Sequence, residues 1–431
     1  MGSPRDAFRH ADHPTVIPEV IEEHIEEVDF LWGLRERALY AHDSRLVDLA
    51  EIEERIEAHL DGLRITGNAS WGMCKEALSH GRAGEVFATA VLTFEGRDKD
   101  RIRTVLEVGG GSPELSRGLV SALGWVHYRQ AGPHITELLA DASSNLRRVG
   151  IAACAVHRQD PGRPLIDALA DSDPLLRARA LRAVGELGRV ELLPYLGESL
   201  RAENIGCRYS AAWSAALLGD TQALSVLRSV AQIALPYREE AIEMALRRMD
   251  LPSAHSWQRE LAQRLDSIRL AVIGTGVTGD PVSAPWLMEQ MRIPALARVA
   301  GEAFSMITGV DIAHEDLEGE WPEGFEAGPT ENPEDENVDM DPDGDLPWPN
   351  PDLIQGWWVK NKGRFRNGTR YLLGQPIAYE HLQQVLRTGF QRQRAAAAIE
   401  LAVLRPGQPL FEVRAPGFRQ QQMLGLTGKG G

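Results

Sequence analysis

Seven arginines recur at nearly even intervals through the middle of the chain. Arg117, Arg148, Arg179, Arg208, Arg238, Arg269 and Arg298 stand 31, 31, 29, 30, 31 and 29 residues apart. Each opens an apolar pattern rich in small residues, as in Arg148-Val-Gly-Ile-Ala-Ala-Cys and Arg179-Ala-Leu-Arg-Ala-Val-Gly. Small residues on one face let two helices approach closely. Breakers follow at Gly188, Gly219 and Gly279, and a second apolar pattern comes after them, as in residues 192–200 and 224–230. Each unit therefore reads as two helices with a short turn. One such hairpin cannot bury both of its faces, but stacked neighbours can, which predicts an all-α solenoid.

The best-defined unit runs from Ala168 to Gly188. Its Asp173-Pro174 is a helix start, a capping carboxylate followed by proline at the first helical position. Before the repeats, Ile21, Ile25, Val28 and Trp32 share one helical face, and Ile52, Ile56, Leu60 and Leu63 another. These two helices predict an N-terminal cap over residues 14–105, with the solenoid proper over 106–312. Near the end of the chain, residues 379–386 and 394–404 predict one further hairpin, in which Arg394 continues the arginine series.

Charge is unevenly placed. Between Arg298 and Lys360 there is no lysine or arginine, yet this gap holds 17 of the 62 carboxylates. Without them the chain has 45 acidic against 46 basic residues, so the whole net charge of −16 belongs to one segment. From Lys360 to Arg419 the sign reverses, with 11 basic and 3 acidic residues. Such asymmetry speaks of partners rather than fold. The acidic stretch repels nucleic acid and attracts a basic surface. It reads as a solvated linker, as a segment folded onto the chain's own basic C-terminal module, or as a docking surface. Trp321, Phe325, Leu346 and Trp348 are interleaved among the carboxylates, and such anchors favour contact with something. The expected boundaries are an acidic tryptophan-containing insert over 313–358 and a basic helical module over 359–424.

Other chemistry finds little support. No apolar run is long enough to span a bilayer, and the first thirty residues lack the order of a signal peptide, which predicts a cytoplasmic protein without membrane contact. Cys74, Cys154 and Cys207 are too scattered for a disulfide framework or a zinc site. Asp339-Met-Asp341-Pro-Asp343-Gly-Asp345 resembles the start of a calcium loop, but its twelfth position is Asn350 where a bidentate glutamate is needed. His314-Glu315 resembles the His-Glu pairs of di-iron hydroxylases, which need several on successive repeats, and here it occurs once. No nucleophile turn, phosphate loop or zincin helix is present. The chain is expected to be a non-enzyme with no cofactor, metal or small-molecule substrate.

The Ala168–Gly188 unit closely resembles the short HEAT-like repeat of the phycobilisome-lyase type, and the resemblance implies that the recurring arginines cap and bridge adjacent hairpins. Residues 16–24, Phe30-Leu-Trp32, residues 57–63, Gly84-Glu-Val-Phe87 and residues 393–401, taken with the repeats, resemble a bacterial HEAT-repeat family whose genes lie in type VI secretion clusters. The resemblance implies an all-α fold: a right-handed α-solenoid of HEAT-like helical hairpins, with an N-terminal helical cap and an acidic irregular insert. It carries over no catalytic residue. Its context implies a protein partner. The first role that fits is an immunity protein, which neutralises a co-encoded effector by stoichiometric 1:1 binding. A cytoplasm-acting toxin such as a nuclease has a basic surface, and the insert is complementary to it. The second role is an adaptor that loads an effector onto the secretion spike. The residues expected to meet the partner are Trp321, Glu323, Phe325, Asp335, Glu336, Asp339, Asp341, Asp343, Asp345 and Trp348.

Overall fold

The computed structural model describes residues 17–96, 98–233, 236–328 and 340–426. They form an all-α solenoid: 22 α-helices and one two-stranded β-hairpin. The chain divides into two compact units, Met1–Glu36 with Ala50–Leu138, and Arg37–Leu49 with Leu139–Gly431.

The first unit holds most of α1 (Pro18–Ala38) and α2 (Leu46–Thr66), then α3 (Asn68–Ala77), α4 (Ala83–Glu95), α5 (Lys99–Gly109), α6 (Pro113–Trp125) and α7 (Tyr128–Leu139). The apolar stripe of α1 is buried at Ile21, Ile25, Val28 and Trp32, and that of α2 at Ile56, Leu60 and Leu63. Ile21, Ile25 and Leu63 join Cys74 and Ala77 of α3 in one core cluster. Arg35 is buried and donates to Glu53 at 2.8 Å and to Glu36 at 3.3 Å. The first arginine of the series, Arg117, donates to Glu36 from α6 at 2.8 Å. It therefore bridges α6 to α1 within this unit.

In the second unit six helices stack in turn: α8 (Ser144–Val156), α10 (Pro174–Glu186), α12 (Ile205–Leu217), α14 (Arg238–Arg248), α16 (Ile268–Thr278) and α18 (Pro294–Thr308). Between them in sequence come α9 (Arg163–Ala168), α11 (Leu193–Ser199), α13 (Ala223–Ile233), α15 (Leu251–Ala262) and α17 (Ala284–Gln290), each packed on the stacked helix that follows it. Every arginine of the series from Arg148 to Arg298 lies within the first six residues of a stacked helix.

The start of α10 shows why the units fold where they do. Asp173 caps it, accepting from Leu175 N at 2.8 Å and Leu176 N at 3.2 Å, with Pro174 in the first turn. A cap of this kind contributes about 1 kcal/mol. The Ser144 hydroxyl also donates to Asp173 and, with those two amides, holds its carboxyl below the usual range. Close stacking then depends on small residues. A Cβ on Gly185 would lie 2.9 Å from Ser214 Cα on α12, and one on Gly276 would lie 2.8 Å from Ala303 Cα on α18. A side chain at either place would push two stacked helices apart.

The remaining elements are α19 (Pro351–Asn361), β1 (Tyr371–Leu372) paired antiparallel with β2 (Gln375–Pro376), α20 (Tyr379–Thr388), α21 (Gln391–Leu404) and α22 (Gly417–Met423). The expected late hairpin is present as α20–α21, but it does not extend the arginine series. Helix α21 meets α12, midway along the stack. The chain on either side of the hairpin returns along the C-terminal ends of the stacked helices. Tyr371 N donates to Gly279 O at 2.8 Å, Leu373 N to Met306 O at 2.7 Å, and Leu410 N to Glu186 O at 2.9 Å. The Arg370 guanidinium reaches Val277 O and Thr278 O at 3.2 and 3.1 Å. A helix leaves its last four carbonyls without intrahelical partners, and the returning chain supplies donors to them. Arg394 is buried instead inside α20–α22, donating to Leu386 O, Gln391 and Gln420. Burial brings its guanidinium down to about 10.

Candidate protein-binding surface

The acidic insert leaves the repeats after α18 and comes back at α19. Its two ends are joined. Gly319 N donates to Trp348 O and Asn350 N to Leu317 O, both at 2.8 Å, around a bridge between Glu318 and Pro349. Asn350 then caps α19 by accepting from Asp352 N and Leu353 N. The insert is thus a closed excursion fixed at its base. Asp335, Glu336 and Asp339 lie outside the described residues; the other residues singled out from the sequence lie within them.

The returning limb, residues 340–346, is held by the chain's own arginines. Arg298, buried on α18, donates to Asp341 at 2.7 Å and to the Asp343 backbone carbonyl at 2.8 Å. Arg269, near the start of α16, meets both carboxylate oxygens of Asp343 at 2.6 and 2.7 Å. That bidentate bond raises the pKa of Arg269 above its ordinary value. Asp345 sits 3.5 Å from both Arg392 on α21 and His42. Asp343 N donates back to Asp341 Oδ1 at 3.0 Å, so the aspartates also shape their own turn. The alternating oxygens that resemble a calcium loop face guanidinium groups here. Among the described residues no group of three or more His, Cys, Asp or Glu is placed to hold a metal ion.

The outgoing limb, residues 315–326, is different. Trp321, Phe325 and Trp348 form a three-ring cluster with centroids 5.0–5.8 Å apart. Trp321 Nε1 donates to Phe325 O at 2.7 Å. The Arg298 guanidinium lies 5.0 Å from the Trp321 ring centre and 5.4 Å from that of Trp348, so one side chain holds both the aspartates and the aromatic cluster. Trp321 is nevertheless 52% exposed. Around it Glu318, Glu320, Glu323 and Glu326 are all exposed. None of the four is within 4.0 Å of a basic side chain among the described residues. Glu315 accepts from Trp357 Nε1 at 2.7 Å, which ties the single His-Glu pair to α19.

A third kind of carboxylate stands on the last stacked helix. Glu302, on α18, faces Arg392, His42 and Asp345, and burial raises its pKa above the usual carboxylate range despite the two basic neighbours.

The arrangement is an exposed indole on an arginine-backed aromatic cluster, with four exposed glutamates close to it in the chain. The sequence pattern singles out the aromatic residues but not Arg298, which lies against Trp321 and Trp348, nor Arg269, which holds Asp343. The available signal was that these are the last two arginines of the series before the insert.

A family model for HEAT repeats matches residues 162–247, which run through α9 to α14. The chain thus contains HEAT-like repeats, a repeat type that generally mediates contact between proteins. Comparison with curated proteins found no match. No described helix is long and apolar enough to cross a membrane.

Proposed function

We propose that this protein is an immunity protein that neutralises a co-encoded type VI secretion effector by 1:1 binding in the cytoplasm, without catalysis. The effector is a basic toxin such as a nuclease. The observation that carries the reading is the exposed Trp321 on its arginine-backed aromatic base, ringed by Glu318, Glu320, Glu323 and Glu326. An aromatic anchor with a charged rim is the form that energetic centres of interfaces take. Opposite potentials raise the association rate and select the partner. The resemblance of the repeats and chain ends to the family found in type VI clusters supplies the context.

The test is co-expression with the basic effector encoded beside it. Survival of an otherwise sensitive cell, with a 1:1 complex that weakens as salt rises, supports immunity. Trp321→Ala should reduce both protection and affinity. Cells that stay sensitive while effector secretion rises would assign the adaptor role instead. Unchanged affinity after replacement of the four glutamates by glutamine would remove the acidic surface from the account.

A further inference from the structure

Beyond the insert, a second surface of opposite sign lies at the far end of α19. Lys360, Lys362, Arg364 and Arg366 fall within seven residues and all four are exposed. None is within 4.0 Å of a carboxylate among the described residues. Other arginines nearby are not left so. Arg269, Arg292, Arg298, Arg370 and Arg392 each face a carboxylate. In a chain of net charge −16, four uncompensated cations on one loop need a reason.

The loop is also held in place. Phe365 is buried between Trp358 and Tyr371, with ring centroids 5.4 and 5.3 Å away. Arg366 N donates to Tyr371 Oη at 3.0 Å, and Gly368 N donates to Asp280 at 3.1 Å. The backbone is thus fixed while the four charged groups point outward, an arrangement that lowers the ordering cost of binding. The cations continue an apolar stripe. Leu353 and Val359 are 46% and 57% exposed on α19, and between them Gly356 has open space where a Cβ would stand. Positions 353, 356, 359 and 360 share one helical face.

We propose that this stripe and loop form a docking surface for an acidic, leucine-bearing segment of a partner protein. The proposal stands whether or not the insert grips a basic toxin. Nucleic acid fits the surface less well. Duplex DNA carries a charge about every 1.7 Å, so it would continue past the four cations. Helix α19 is only about 16 Å long, and beyond it lie Asp352 and the open glutamates of the insert. A phosphate backbone also makes no use of Leu353 and Val359. A short acidic segment with apolar side chains uses both halves of the surface.

The experiment uses the full chain and two labelled probes: an acidic peptide with leucines at helical spacing, and single-stranded DNA. Fluorescence anisotropy should show peptide binding that salt weakens. The K360E/K362E/R364E/R366E variant should bind it at least about tenfold more weakly, and L353S/V359S about threefold more weakly. All six positions are exposed, and circular dichroism verifies that each variant stays folded. The proposal is overturned by absence of peptide binding, by charge reversal that leaves affinity unchanged, or by L353S/V359S binding as the parent does. DNA binding as tightly as the peptide through the same four residues also overturns it.

Discussion

The two limbs of the acidic insert have similar compositions and opposite circumstances. On the returning limb Asp341 and Asp343 meet Arg298 and Arg269 at 2.6–2.9 Å and are largely withdrawn from solvent. On the outgoing limb Glu318, Glu320, Glu323 and Glu326 face water, with no basic side chain within 4.0 Å among the described residues. Negative charge in a sequence is therefore not the same as negative charge on offer. The first limb is an internal fastening, and the second inherits a fixed geometry from it through Arg298, which touches both.

The largest expected effect comes from breaking that shared contact. Arg298→Met leaves Asp341 partly buried without its cation and removes the group beneath Trp321 and Trp348. Loss of one partner of a buried pair costs about 3–5 kcal/mol. Denaturant unfolding followed by tryptophan fluorescence should show a clearly lowered midpoint. A loss below about 1 kcal/mol would mean that Arg298 is not the fastening, and the contrast between the limbs would fail. Asp343→Asn should act in the same direction with smaller size, about 1–3 kcal/mol, because the amide keeps the shape and loses the charge-assisted pair to Arg269.

Much of the fold was legible before the structure, and the reason is locality. The Asp173-Pro174 cap and the stripe of Ile21, Ile25, Val28 and Trp32 each lie within one helix, and the interval of the arginines repeats a single hairpin. Trp321, Phe325 and Trp348 were legible by composition instead, as aromatic residues interleaved among carboxylates. The fastening was not. Arg269 and Asp343 are 74 residues apart, and no periodicity marks a pair at that distance. The return of the C-terminal chain was also hidden. Arg394 has the composition of one more repeat around it, yet its partners are Gln391, Gln420 and a backbone carbonyl, and α21 lies against α12. Local pattern defines a hairpin well and says little about which earlier hairpin it meets.

A smaller effect separates Glu302 from both limbs. Its pKa is raised by burial, so the fold favours its protonated form. That contribution to stability is fully present below the ordinary value of 4.5 and is lost as pH rises through the folded value. Glu302→Gln stays neutral and should raise the unfolding midpoint modestly near neutral pH. The difference should close as the solution is acidified toward 4.5. A midpoint lowered by this change at neutral pH would show that Arg392 and His42 outweigh the burial, and would place Glu302 with the fastened carboxylates.

The smallest effect on stability is the most informative about function. Replacing Glu318, Glu320, Glu323 and Glu326 together by glutamine removes four charges that touch no basic side chain. Surface changes of this kind alter stability by no more than about 0.5 kcal/mol each. The midpoint should hardly move, while affinity for a basic partner falls and its dependence on salt flattens. A large loss of stability would instead mean that these glutamates fasten the insert, as Asp341 and Asp343 do. The outgoing limb would then be one more structural contact, and the exposed Trp321 would lose the charged rim that makes it a binding surface.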